Sequence, residues 1–201
     1  ASSDPRLARV TAALDAAGYK SEIGSAIKAR VAANPRRFLE LLAGAEKDEA
    51  SVPDLLRRAD KQRPLGEEYV PADLVSLDGR GLSVSRKGHS VRKAAYEALV
   101  AMSEAAKRDG VTLLVSSSYR SYGYQKQVFA RNAREDGGEA AAERVSARPG
   151  YSQHQLGTAI DFGTIDDSFA ETKAGRWLAA DARRFGYSLS YPKGLEPVTG
   201  Y

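Results

Sequence analysis

The chain has 201 residues, 42% of them hydrophobic, with 30 basic against 26 acidic side chains, a formal charge of +4 and no cysteine. That length holds one good core with an appended segment, or two small domains, and no apolar run approaches the roughly 18–20 residues that cross a bilayer. The absence of cysteine excludes a disulfide framework, a thiolate metal site and a cysteine nucleophile. The basic residues are interleaved with acids and never form a block of five, which argues against a nucleic-acid surface. A mild positive balance suits attraction to an anionic cell wall. The chain begins at Ala1 with no initiator Met or apolar leader, so any targeting segment is expected to have been removed or to lie outside these residues.

Residues 1–64 read as a helical segment. Asp4-Pro5 has the form of an N-cap and first helical residue, followed by Leu7, Val10 and Leu14 at helical spacing and Gly18 as a stop. Ile23, Ile27 and Val31 repeat at i+4. Asn34-Pro35 opens a helix carrying Phe38, Leu41 and Leu42 that is expected to end at Gly44, and Ser51-Val52-Pro53-Asp54 opens a fourth. Such apolar stripes are packing surfaces rather than ligand sites. Arg63-Pro64-Leu65-Gly66 then reads as a linker into a second domain over residues 65–201.

There the pattern becomes α+β. A helix is predicted over residues 90–108, with Val91, Ala95, Leu99 and Met102 inward and Gly110 as its stop. A strand over 111–115 follows and delivers Ser117, Ser118, Tyr119 and Arg120 at its end. Helices over 122–135 and 139–145 flank Gly137-Gly138, and a helix over about 172–185 carries Trp177 and Leu178 before Gly186. Residues 188–191 read as a last short strand, closed by a turn at Pro192 and Gly194. The expected architecture is a small, mainly antiparallel sheet with flanking helices.

The chemistry is concentrated in Ser152-Gln153-His154-Gln155-Leu156-Gly157-Thr158-Ala159-Ile160-Asp161-Phe162, where one of the two histidines stands seven residues before an aspartate. On a continuous helix these two would lie roughly 10.5 Å apart along the axis, too far to share a zinc ion with bonds of about 2.0–2.2 Å. The segment must bend, and Gly157 supplies the place. Ala159 to Phe162 has period-2 patterning that sends Ile160 and Phe162 to one face and Asp161 to the other. Taken alone, the pair reads first as a hydrogen-bonding loop histidine with a turn-forming aspartate, and it is the company it keeps that raises a metal site above that reading.

The surrounding motifs are Tyr69-Val70-Pro71-Ala72-Asp73-Leu74, Ser116-Ser117-Ser118-Tyr119-Arg120-Ser121 with Gln125, Ser146-Ala147-Arg148-Pro149-Gly150-Tyr151, and Tyr191-Pro192-Lys193-Gly194. With these in this order, residues 69–201 resemble the VanY-type zinc D-alanyl-D-alanine carboxypeptidases, which trim bacterial peptidoglycan stem peptides. The resemblance implies a Zn²⁺ cofactor held by His154 and Asp161, and a peptidoglycan stem peptide as partner. It implies Arg120 as the receptor of the substrate's terminal carboxylate and Ser152 beside the substrate, with Tyr119 and Gln125 in the same binding set. It also implies a periplasmic or extracellular place at the cell envelope.

In that family a Glu-Pro-Trp-His motif, carrying the general base and the third zinc ligand, follows a segment like Leu195-Glu196-Pro197-Val198-Thr199-Gly200-Tyr201. Both groups are therefore expected after Tyr201, and Glu196 belongs to the preceding loop. His89 is expected to be a solvated loop histidine outside the metal site. The leading function is removal of a terminal D-alanine. The alternatives are an L,D-carboxypeptidase or endopeptidase of the same fold, and a non-catalytic module that binds wall peptides.

Overall fold

The computed structural model describes residues 4–16, 22–51, 54–164 and 166–192. The chain divides into two compact units, residues 1–57 and 58–201. In the first, helix α1 (Pro5–Ala16), α2 (Glu22–Ala33) and α3 (Pro35–Ser51) pack on one another. Asp4 caps α1 as expected, its carboxylate accepting the Arg6 backbone N–H at 2.9 Å. Gly44 does not stop α3, which runs on to Ser51. A Cβ there would meet nothing within 4 Å, and a mid-helix glycine costs only about 1 kcal/mol, so hydrogen bonding on either side carries the helix through. Ser51 thus ends a helix instead of opening one, and Asp54 to Leu56 form a turn.

The predicted linker at 63–66 is a packed piece of the second unit. Leu65 is buried with Ala59 and Leu156 in a small cluster, and its N–H donates to the Gly150 carbonyl at 2.7 Å. This packing is why the units part after Arg57 and not after Pro64.

Five short strands, β1 (Leu74–Ser76), β2 (Ser83–Val84), β3 (Ser90–Arg92), β4 (Leu114–Ser117) and β5 (Asp161–Phe162), form two sheets. One is the antiparallel pair β1–β3; the other has the order β2–β4–β5, with β2 parallel and β5 antiparallel to β4. The helices are α4 (Lys93–Arg108), α5 (Tyr122–Glu135), α6 (Glu139–Val145) and α7 (Lys173–Asp181). This is the α+β class expected, with antiparallel pairing predominant.

Boundaries moved where tertiary pairing overrode helical periodicity. Residues 90–92 are a strand because Val91 sits fully buried opposite Val75, and α4 begins only at Lys93. The strand predicted over 111–115 is displaced to β4. Residues 188–191 form no strand, and Leu189 is among the exposed apolar side chains. Gly194 lies outside the described residues.

The main core gathers Leu77, Val91, Leu99, Met102, Val111, Leu113, Val115 and Trp177, with Ile160 and Phe162 packed against it. Leu99 is fully buried, so its truncation to alanine costs about 2–5 kcal/mol. This core anchors both β4 and β5, the strands whose ends carry the polar residues singled out above.

Candidate active site

β4 and β5 pair in register at Ser117 and Asp161, across an irregularity at Val115/Ser117 that turns the strand end. Ile160 and Phe162 go to the core, as the alternation required, and Asp161 faces the other way. His154 reaches it from a 3-10 turn, Gln153–Leu156, capped by the Ser152 hydroxyl, which accepts the His154 N–H. The bend falls at Gly157, in the left-handed region at φ 74°, and its N–H closes on the His154 carbonyl. Behind the bend the Arg92 N–H donates to the Gly157 carbonyl at 2.8 Å, while buried Arg92 pairs with Asp73 at 2.7 Å. The residue seven positions from His154 thereby comes back to it: His154 Nε2 and Asp161 Oδ2 are 3.2 Å apart.

That separation is informative about a metal. Two donors of a tetrahedral zinc with bonds of about 2.0–2.1 Å stand about 3.3 Å apart, so the pair fits two vertices of such a site and is equally a hydrogen-bond distance. The imidazole is oriented from behind, because its Nδ1 donates to the Ser118 carbonyl at 2.7 Å and leaves Nε2 for Asp161 or a metal. Among the described residues no group of three His, Cys, Asp or Glu converges on one point. Glu196 lies outside the described residues.

Arg120 stands over the same carboxylate, its Nη2 3.6 Å from Asp161 Oδ2, an ion pair too long for a hydrogen bond. Its N–H donates to the His154 carbonyl at 3.1 Å. Its Nη1 donates to Gln125 Oε1 at 3.0 Å, and the Gln125 amide in turn donates to the Ala147 carbonyl at 2.7 Å. Nε is buried with no hydrogen-bond partner among the described residues. Burial lowers the Arg120 pKa, opposed chiefly by the Asp161 charge.

For Asp161, burial acts to raise the pKa, but the hydrogen bond from His154, the charges of His154 and Arg120, and the Ser117 hydroxyl together hold it below the usual carboxylate range. A site that combines an ionised carboxylate, an imidazole whose Nε2 faces it and a partly unsatisfied guanidinium can receive a cation and a carboxylate side by side once Nε2 gives up its proton.

Of the site residues expected from the sequence, His154, Asp161 and Arg120 are thus brought together. Gln125 sits behind Arg120, fully buried, and Ser152 caps the turn that carries His154. Tyr119 is half-buried next to Arg120 in the chain and is tied by its N–H to the Ser90 carbonyl. Two participants were missed. Ser117 reaches Asp161, which strand register alone would have shown. Tyr191 lies in the electric field of the site, its pKa raised by burial and then by Asp161, with Arg120 opposing. His89 is a correction: it is not a solvated loop residue but is 2% exposed, with both ring nitrogens hydrogen-bonded.

The sequence model of the VanY D-alanyl-D-alanine carboxypeptidases matches residues 88–201, and the chain belongs to that family. YodJ of Bacillus subtilis (strain 168), named as a carboxypeptidase, is 35% identical over 155 residues, 74% of this chain and 56% of that protein. Among solved structures, the LdcB LD-carboxypeptidase superposes with a TM-score of 0.66 at 34% identity, covering 73% of this chain and 72% of the other. The vancomycin-resistance D,D-pentapeptidase VanY from a VanB-type cassette, solved as a glutamate-to-alanine variant with Zn(II), superposes at 0.59 and 29% identity over 72% and 81% of the two chains. The chain spans about half the length of the curated relatives it matches. No helix among the described residues is long and apolar enough to cross a membrane.

Proposed function

We propose that the protein is a zinc-dependent carboxypeptidase of the cell envelope that removes the terminal D-alanine from peptidoglycan stem peptides ending in D-Ala-D-Ala. His154 and Asp161 are the metal ligands and Arg120 receives the terminal carboxylate. The observation that carries this reading is the partly buried Arg120 guanidinium, with its buried Nε unpartnered among the described residues, set over the carboxylate that faces His154 Nε2.

A zinc ion held there supplies a polarised carbonyl and an acidified water. The side chains do the rest. A guanidinium fork holds a carboxylate through parallel charge-assisted hydrogen bonds, which set orientation as well as position. Because Arg120 stands beside the metal-binding pair, a peptide anchored by its C-terminus presents its last amide bond. Gln125 keeps the fork aligned by holding Nη1 from behind. Ser152 maintains the His154 turn and, with Tyr119, completes the proposed binding set.

A second reading, an L,D-carboxypeptidase acting on tetrapeptide stems, is favoured by the higher TM-score with LdcB. The test measures D-alanine release from pentapeptide and tetrapeptide stems by zinc-loaded protein, with zinc content followed in His154→Ala. In a form that carries the general base and third ligand expected after Tyr201, the leading reading expects release from the pentapeptide and little zinc in the His154→Ala variant. Release from the tetrapeptide alone selects the second reading, and free-acid binding without turnover selects a peptide-binding module. Equal zinc in variant and parent removes the metal assignment.

A further inference from the structure

His89 is a buried titratable side chain that the chemistry above does not use. It lies between two pieces of the machinery and is hydrogen-bonded at both ring nitrogens. The Ser118 hydroxyl oxygen accepts the Ser90 N–H at 3.1 Å. Its one proton is therefore available to His89 Nδ1, 3.0 Å away. In the tautomer that accepts at Nδ1, neutral His89 carries its proton on Nε2, which faces the Ser85 hydroxyl oxygen at 3.3 Å. The Ser85 hydroxyl then donates to the Ser116 carbonyl at 3.5 Å. Burial, reinforced by the charge of Arg86 and opposed by Asp78, lowers the His89 pKa and so favours the neutral ring.

One imidazole thus bridges the β2 end and the residue that follows β4. Ser118 is where this matters, because its carbonyl is the acceptor that fixes the His154 ring. The next two residues are held as well: the Tyr119 N–H by the Ser90 carbonyl and the Arg120 N–H by the His154 carbonyl. A shift of the Ser118 peptide would move the acceptor of His154 and the base of Arg120 together.

We propose that His89 is a positioning residue of the active site, acting through the Ser118 hydroxyl to fix the carbonyl that orients His154 toward Asp161. It touches neither metal nor substrate. The inference rests on the reading of His154 as a metal ligand, and its test includes a measurement that does not depend on metal.

His89→Asn offers an amide oxygen where Nδ1 stood and retains the Ser118 bond; His89→Gln places its amide nearer the Nε2 position and retains the Ser85 bond; Ser118→Ala removes the linking hydroxyl. In each full-length variant, zinc affinity is measured by competition with a chromophoric chelator, and the His154 Nδ1–H proton of the metal-free protein is followed by ¹⁵N-edited NMR. Losing an orienting partner of a metal-binding histidine typically costs 10–100-fold in affinity. At one remove the expected loss is about tenfold for His89→Gln and Ser118→Ala, with the Nδ1–H signal broadened by faster exchange. His89→Asn should stay within about twofold of the parent, and His89→Gln in the Ser118→Ala background should add no further loss.

Folding is checked by thermal melts. Should one histidine variant fail to fold, Ser118→Ala with the other decides. Parental zinc affinity and an unchanged Nδ1–H signal in Ser118→Ala would overturn the proposal, as would equal losses in Asn and Gln. Unchanged zinc affinity with a disturbed Nδ1–H signal would uphold the positioning role and remove the metal assignment instead.

Discussion

Arg92 and Arg120 both hold the loop that carries His154, Arg92 at the Gly157 carbonyl and Arg120 at the His154 carbonyl, and both face an aspartate. Arg92 is 2% exposed, packs its stem against Gly157 and closes on Asp73 at 2.7 Å. Arg120 stops at 3.6 Å from Asp161 and leaves Nε without a partner among the described residues. A buried charge is tolerated where its partner satisfies it closely, and breaking such a pair is strongly destabilising. A buried guanidinium with unsatisfied donors is costly to the fold, and the cost is recovered when a ligand carboxylate fills the place. Of these two arginines, then, one serves stability and the other, in the proposed reading, recognition.

The sharpest way to break this contrast is Arg120→Ala. Losing one member of a desolvated charge pair costs about 2–5 kcal/mol of binding, so calorimetry should show no measurable affinity for a free-acid D-Ala-D-Ala peptide while the thermal midpoint barely moves. Arg120→Lys should rescue little, because a point charge does not reproduce the planar fork. Parent protein that binds an amidated peptide as well as the free acid would remove Arg120 from recognition altogether.

Asp73→Ala should do the reverse. Orphaning Arg92 is expected to cost about 3 kcal/mol in denaturant unfolding, and the folded fraction should keep the parental preference for free acid over amide. A variant of parental stability would show that the Arg92–Asp73 pair is no strut.

Gly157→Ala probes the same strut from the loop side. The residue would need a left-handed backbone, and its Cβ would lie 3.0 Å from both Arg92 Cγ and Leu74 Cδ2. A loss of about 1–2 kcal/mol is expected, together with weaker zinc binding as the His154 turn shifts.

The smallest effect concerns pH. The His89 pKa is lowered in the fold, so the unfolded chain takes up a proton before the native one does. The stability contributed by neutral His89 should be complete above the unfolded value of about 6.5 and be lost as pH falls through the folded value. His89→Asn should flatten that part of the stability profile, and an unaltered profile would show that another group carries it.

Much of this was legible in the sequence. The amphipathic stripe of α4, the two helices around Gly137-Gly138 and the Asp4-Pro5 start depend on contacts within a few residues, and they appear where periodicity and capping put them. The alternation at Ile160-Asp161-Phe162 and the bend at Gly157 likewise come from local backbone preference. They brought His154 and Asp161 forward as a pair, and the resemblance carried by the surrounding motifs, Tyr119-Arg120-Ser121 among them, implied their role and indicated the family.

Tertiary structure alone decided the rest. Residues 90–92 became a strand because Val91 found Val75, a pairing across fifteen residues of chain that no helical window contains. The segment at 63–66 joined the second unit because Leu65 and Gly150 meet across the fold. His89 left solvent for a socket made by Ser85 and Ser118, four and twenty-nine residues away. Hydrogen-bond partners for a buried polar group are recruited wherever the fold brings donors and acceptors together. The candidate site residues were therefore marked by local sequence motifs, and the groups packed around them were chosen by long-range packing.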